Sequence, residues 1–163
     1  MANRIAVLET SKGTIKFELL EQDAPKTTEN FRLLADKNYY DGVIFHRVIP
    51  NFMIQGGDPL GEGYGGESAW GGKFADEINR SSMLYAGPYE KGTVAMANSG
   101  PNTNGSQFFI MHEDYPLPPS YSKFGKVIEG QGVVDDIAMV AKNSNDKPIE
   151  PVMMNKVYIQ DAE

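Results

Sequence analysis

One arginine interrupts an apolar, strand-like run in FHRVIPNFMIQGGD, residues 45–58. A guanidinium among such neighbours costs free energy unless something holds it. Counted on period two, Arg47 shares a strand face with Val43, Phe45 and Ile49. Two readings follow. Arg47 is a structural cation paired to a carboxylate through the core, or it is the donor fork of a binding site. The next strand offers Phe52, Met53 and Gln55. Gln55 brings a neutral oxygen that can fix a guanidinium without cancelling its charge. An arginine held by an amide, with Phe and Met as a floor, has the make-up of a ligand pocket.

A second constellation is MANSGPNTNGSQFF, residues 96–109. Asn98, Asn102, Asn104 and Gln107 run directly into Phe108 and Phe109. Such density of amides at a turn satisfies its own backbone, or it grips the main chain of a bound peptide. Both remain open on composition.

Other chemistries find little here. Gly61, Gly63 and Gly66 match the dinucleotide-binding spacing, but no buried strand precedes them and no helix follows, so the stretch 56–72 reads as a flexible surface loop. There are no cysteines and only two histidines, so no metal site and no cofactor are expected. His46 falls on the strand face opposite Arg47 and reads as a hydrogen-bonded core histidine. His112, in HED, reads as a surface loop residue. No Ser/His/Asp set or Gly-x-Ser-x-Gly elbow is present.

The elements that must position these residues are mostly strands. Hairpin strands are predicted at 4–9 and 14–20, and two short ones within 43–55 break at Pro50-Asn51. Further strands fall at 92–98, 106–111, 123–128 and 155–160. A helix is predicted over 25–37, with Asp23 as cap and Pro25 in its first turn, and a second over 132–142. Many short strands with two helices indicate an all-β, antiparallel architecture. Closing the sheet into a barrel would remove its edges, and the helices could cap the open ends.

The chain has 163 residues, 40% hydrophobic and 23% charged, which suits one domain spanning 1–163. A net charge of −7 argues against a nonspecific grip on nucleic acid or anionic membrane. The first twenty residues alternate like a strand and not like a signal peptide. With no disulfide chemistry, the cytoplasm is the expected location, and a monomer the expected state.

Taken together, FHRVIPNFMIQGGD and MANSGPNTNGSQFF resemble the two signature segments of the cyclophilins, the peptidyl-prolyl cis-trans isomerases. PKTTENFRLL before them and FGKVIEGQGVVDDI after them match in the same order, so the resemblance runs from about residue 5 to 160. It implies a closed eight-stranded barrel capped by two helices. It places the catalytic arginine on Arg47 and its supporting glutamine on Gln55. Substrate-binding positions fall on Phe52, Met53, Ala97, Asn98, Gln107, Phe109 and Leu117. Where many members have Trp-Leu, this chain has YPLPPSYSKFG, which is similar to bacterial or otherwise divergent members. The family's pocket histidine is replaced by Tyr121, and the sole tryptophan, Trp70, lies in the glycine loop. The resemblance implies proline-containing peptides and unfolded proteins as partners, with cyclosporin binding weakened. An alternative within the same pocket is a proline-peptide binding module whose turnover is incidental.

Overall fold

The alternation of apolar residues along the strands resolves into a closed barrel. The computed structural model describes residues 3–162. Among them are strands β1 (Ile5–Thr10), β2 (Gly13–Leu19), β3 (Val43–Ile49), β4 (Met53–Gly56), β5 (Thr93–Met96), β6 (Phe108–Met111), β7 (Lys123–Glu129) and β8 (Met153–Gln160). They are joined in the order β1-β2-β7-β5-β6-β4-β3-β8, and β8 pairs back onto β1. The pairings are antiparallel. Helices α1 (Pro25–Asp36) and α2 (Gln131–Ala138) complete the expected architecture, with a short 3-10 turn at Met83–Tyr85.

Inward residues fill the barrel. Ile15, Phe17 and Leu19 on β2 face Val94, Met96, Phe108, Ile110 and Phe124 in one buried cluster, which also takes in Phe31 and Leu34 of α1 and Val134 and Ile137 of α2. Phe31 lies with its ring 5.3 Å from Phe17, 5.0 Å from Tyr40 and 5.4 Å from Phe108. The contacts with Phe17 and Phe108 are edge-to-face and the one with Tyr40 is stacked, and both arrangements add to the burial of apolar area. The barrel is tight at Gly125, where an added Cβ would stand 2.5 Å from the Phe17 ring.

Helix α1 lies where expected, with Lys37 as its C-cap, but one expectation needs correction: Asp23 does not cap it, since Ala24 is the N-cap residue and makes no side-chain cap hydrogen bond. Glu77, fifty residues downstream, accepts the Lys26 N–H at 3.1 Å and the Thr27 N–H at 2.6 Å. A carboxylate at this end also suits the helix dipole. Helix α2 stops at Ala138, short of the predicted end, and Lys142 turns away to give its ammonium to the Val48 carbonyl at 3.0 Å.

The strand face assigned to Arg47 is also corrected. A bulge lies between Phe45 and Arg47, so that Phe45 opposes Gly56 while Arg47 opposes Gln55. One extra residue reverses the in–out alternation beyond it. Val43, Phe45 and Val48 point into the barrel, whereas Arg47 is exposed and Ile49 belongs to the cluster outside.

Candidate active site

The bulge sets up two parallel rungs on the outer face of β3, β4, β6 and β5. Arg47 pairs with Gln55, Gln55 with Phe109, and Phe109 with Ala95. Two residues along, Ile49 pairs with Met53 and Met53 with Met111. Met53, Tyr89, Ala95, Phe109 and Met111 form a second buried cluster, separate from the barrel interior, with Phe52, Ala97, Leu117 and Tyr121 packed against it.

On this apolar bed sits a cavity of about 150 Å³, lined by Arg47, Phe52, Met53, Gln55, Ala97, Asn98, Phe109, Leu117 and Tyr121. The sequence-predicted residues converge there, except Gln107. That residue lines an adjoining hollow of about 360 Å³, reached past Gln55, Ala97 and Asn98. Among the described residues the Arg47 guanidinium has neither an ion pair nor a hydrogen-bond partner. It is a free donor fork at the mouth of a greasy pocket, not the buried ion pair that composition also allowed.

The expected clasp between Gln55 and Arg47 is absent. Gln55 Nε2 donates instead to Gln107 Oε1 at 3.1 Å. Gln107 Nε2 in turn donates to the carbonyls of Gly63 and Gly65 at 2.9 and 3.1 Å. Asn98 is likewise committed: its Nδ2 donates to the Ser120 carbonyl and its Oδ1 accepts the Gly100 N–H. Backbone satisfaction explains much of the second constellation, since Asn104 also donates to the Phe74 carbonyl and to Asp76.

The glycine loop carries an internal anchor that its composition does not disclose. Asp58, fully buried, accepts N–H groups from Leu60, Glu62, Gly63 and Gly65. Burial pushes its carboxyl upward, but these four donors together hold it below the usual carboxylate value. Trp70 stands outside the pocket, edge-on to Phe74 at 5.6 Å.

Both histidine readings change. His46 is buried as expected, yet its Nδ1 has no hydrogen-bond partner, and burial holds its pKa below 6.5. His112 is no surface residue. It is buried, its Nδ1 accepts the Asn51 N–H at 2.8 Å, and its Nε2 lies 3.2 Å from Asp135.

Two tyrosines of the site went unnoticed in the sequence. The Tyr89 hydroxyl donates to the Tyr121 carbonyl at 2.6 Å and accepts the Tyr121 N–H at 3.2 Å, which fixes Tyr121 edge-on to Phe109. Tyr115 packs its ring 4.3 Å from Phe52. Neither lies in a signature-like segment. Their only signal was aromatic density between residues 85 and 121.

The model of the family described as "Cyclophilin type peptidyl-prolyl cis-trans isomerase/CLD" matches residues 5–159. The chain belongs to the cyclophilin family. This cyclophilin is 50% identical over 150 residues to peptidyl-prolyl cis-trans isomerase ppi1 of Schizosaccharomyces pombe, covering 91% of this chain and 94% of that protein. It is 49% identical to a peptidyl-prolyl cis-trans isomerase of Arabidopsis thaliana over 93% of both chains. The crystal structure of a cyclophilin type isomerase from Cryptosporidium parvum superposes with a TM-score of 0.91 at 37% identity, over 99% of each chain. A second structure of that protein, in the presence of the dipeptide Ala-Pro, gives 0.89 at 38% identity, over 96% of this chain and 99% of that one. The cyclophilin is an isomerase of X–Pro bonds.

Proposed function

We propose that Arg47 carries the isomerase reaction and that the 150 Å³ cavity takes the proline ring. The supporting observation is the unpaired guanidinium over an apolar floor. The crystallised relative studied with Ala-Pro points to the same ligand class.

Rotation about an X–Pro bond is slow because resonance stiffens C–N, with a barrier of roughly 18–20 kcal/mol. Nothing must be broken. At the twisted midpoint the prolyl nitrogen loses conjugation, becomes pyramidal and gains a lone pair that accepts a hydrogen bond. In the planar ground state it accepts poorly. A guanidinium aimed at that nitrogen therefore favours the transition state selectively, as acceleration requires. Arginine stays charged and offers a rigid fork.

The magnitudes agree. Raising a rate of about 0.01 per second to ~10–1000 per second needs roughly 4–7 kcal/mol. One preorganised donor in a dry site supplies roughly 3–4 kcal/mol. The apolar surroundings of the rotating bond disfavour the polar planar amide and supply more, while Phe52, Met53, Phe109 and Leu117 hold the proline ring. Asn98 and Gln107, whose side chains are already engaged, shape the groove, and the flanking peptide meets the backbone at 97–98.

In this reading one domain, 1–163, works as a cytoplasmic monomer on exposed X–Pro bonds of unfolded or flexible chains, assisting folding. With no tryptophan at the pocket, cyclosporin binds weakly. The test is protease-free exchange on a short X–Pro peptide. Arg47→Ala should slow exchange at least tenfold while peptide affinity falls less and the fold persists. Undiminished exchange defeats the assignment, and equal losses of turnover and affinity favour a binding module.

A further inference from the structure

Phe52, a wall of the pocket, is carried on the tight β3–β4 turn, whose Asn51 adopts a left-handed conformation with φ 66°. The turn continues the β4–β6 register beyond Met53 and Met111, and the Tyr115 ring holds Phe52 from outside at 4.3 Å. His112, just past the end of β6, adds two contacts. Its backbone N–H donates to the Phe52 carbonyl at 2.8 Å. Its Nδ1 accepts the Asn51 N–H at 2.8 Å. An Nδ1 that accepts is unprotonated, so the ring proton sits on Nε2, the nitrogen 3.2 Å from Asp135 Oδ1 on α2. That approach is not aligned as a hydrogen bond, and Asp135 Oδ1 is buried without a hydrogen-bond partner. The imidazole thus stands as a wedge between α2 and the turn that presents Phe52.

We propose that His112 is a positioning residue for substrate binding, acting through its Nδ1 on Asn51 to set Phe52 against the proline ring. This rests on the isomerase reading of the pocket. Phe52 bounds the ring and does not touch the rotating nitrogen. Arg47 is placed by the β3–β4 ladder, before the turn. Losing the wedge should therefore weaken binding and spare the chemical step.

The experiment measures KM and kcat for a proline tetrapeptide, with melting temperature, in three variants. His112→Ala should raise KM about fivefold, the weight of one hydrogen bond, with kcat unchanged within about twofold. His112→Asn, whose Oδ1 can stand where Nδ1 stands, should restore the wild-type KM. His112→Gln, whose amide reaches toward Asp135 instead, should not. This last pair decides the matter if the alanine variant fails to fold. An unchanged KM in folded His112→Ala overturns the proposal. So does a shared fall of kcat, or a folded His112→Asn that rescues no better than His112→Gln. A wild type without turnover would sink the isomerase reading separately, and the same comparison would then be read from peptide affinity by NMR titration.

Discussion

Gln55 faces Arg47 across the β3–β4 ladder but gives its amide to Gln107, 3.1 Å away. The residue beside the guanidinium is thus braced from its far side. Through Gln107 the brace continues to the carbonyls of Gly63 and Gly65. The consequence is a rigid neighbour that leaves the arginine's donors free for a ligand.

Cutting that brace should cost activity. Gln107→Ala removes both the acceptor for Gln55 and the donor to the glycine loop. Catalytic geometry is sensitive to small displacements, so kcat/KM should fall about tenfold. Unfolding in urea should show a loss of only about 1–2 kcal/mol. Full activity would mean that Gln55 needs no support.

Arg47→Lys tests the fork against the charge. Lysine keeps the cation but presents a single ammonium on a flexible stem. Exchange should drop at least tenfold. Stability should stay within about 0.5 kcal/mol, since an exposed side chain without partners holds nothing together. Wild-type turnover would show that a point charge suffices.

Asp58 should prove structural and severe. Alanine there orphans four N–H groups around a buried site. A loss of about 2–4 kcal/mol is expected by urea titration. Because its folded carboxyl is held below the usual value of 3.8, its contribution is complete above that pH and drains away as acid carries the pH down through the folded value.

His46 predicts a milder pH effect with the same sign. Burial keeps the imidazole neutral and its pKa below 6.5. The unfolded chain then binds a proton that the folded chain refuses, so stability is full above about pH 6.5 and declines as the pH falls. His46→Gln should flatten the difference between melting curves taken at pH 7.5 and 5. A wild type equally stable at both values would contradict the assignment.

The barrel was legible because its signal is local and repeated. Strands such as TIKFELL alternate cleanly, and the pocket residues other than Leu117 and Tyr121 arrive in two contiguous segments. What escaped depended on single-residue events or distant partners. The bulge after Phe45 adds one residue to β3, and period-two counting, which cannot see it, put Arg47 on the wrong face. Glu77 caps a helix fifty residues away, where Asp23 was the nearer candidate. Glycine content marked a loop and not its anchor, because composition does not register that one carboxylate can gather four amides. His112 was misjudged for a related reason: its contacts with Asn51 and Asp135 are decided by packing between elements, not by neighbours in the chain, whereas for His46 the burial was legible and the missing partner was not.

The separation of the two apolar clusters has an outcome for how such a protein can change. One fills the barrel; the other lies outside the wall and forms the bed of the cavity. Because β3, β4 and β6 show each cluster a different side, a substitution that reshapes the cavity changes its own buried contacts and leaves the packing of the barrel interior in place. Selection can therefore remodel the cavity with the barrel interior left intact.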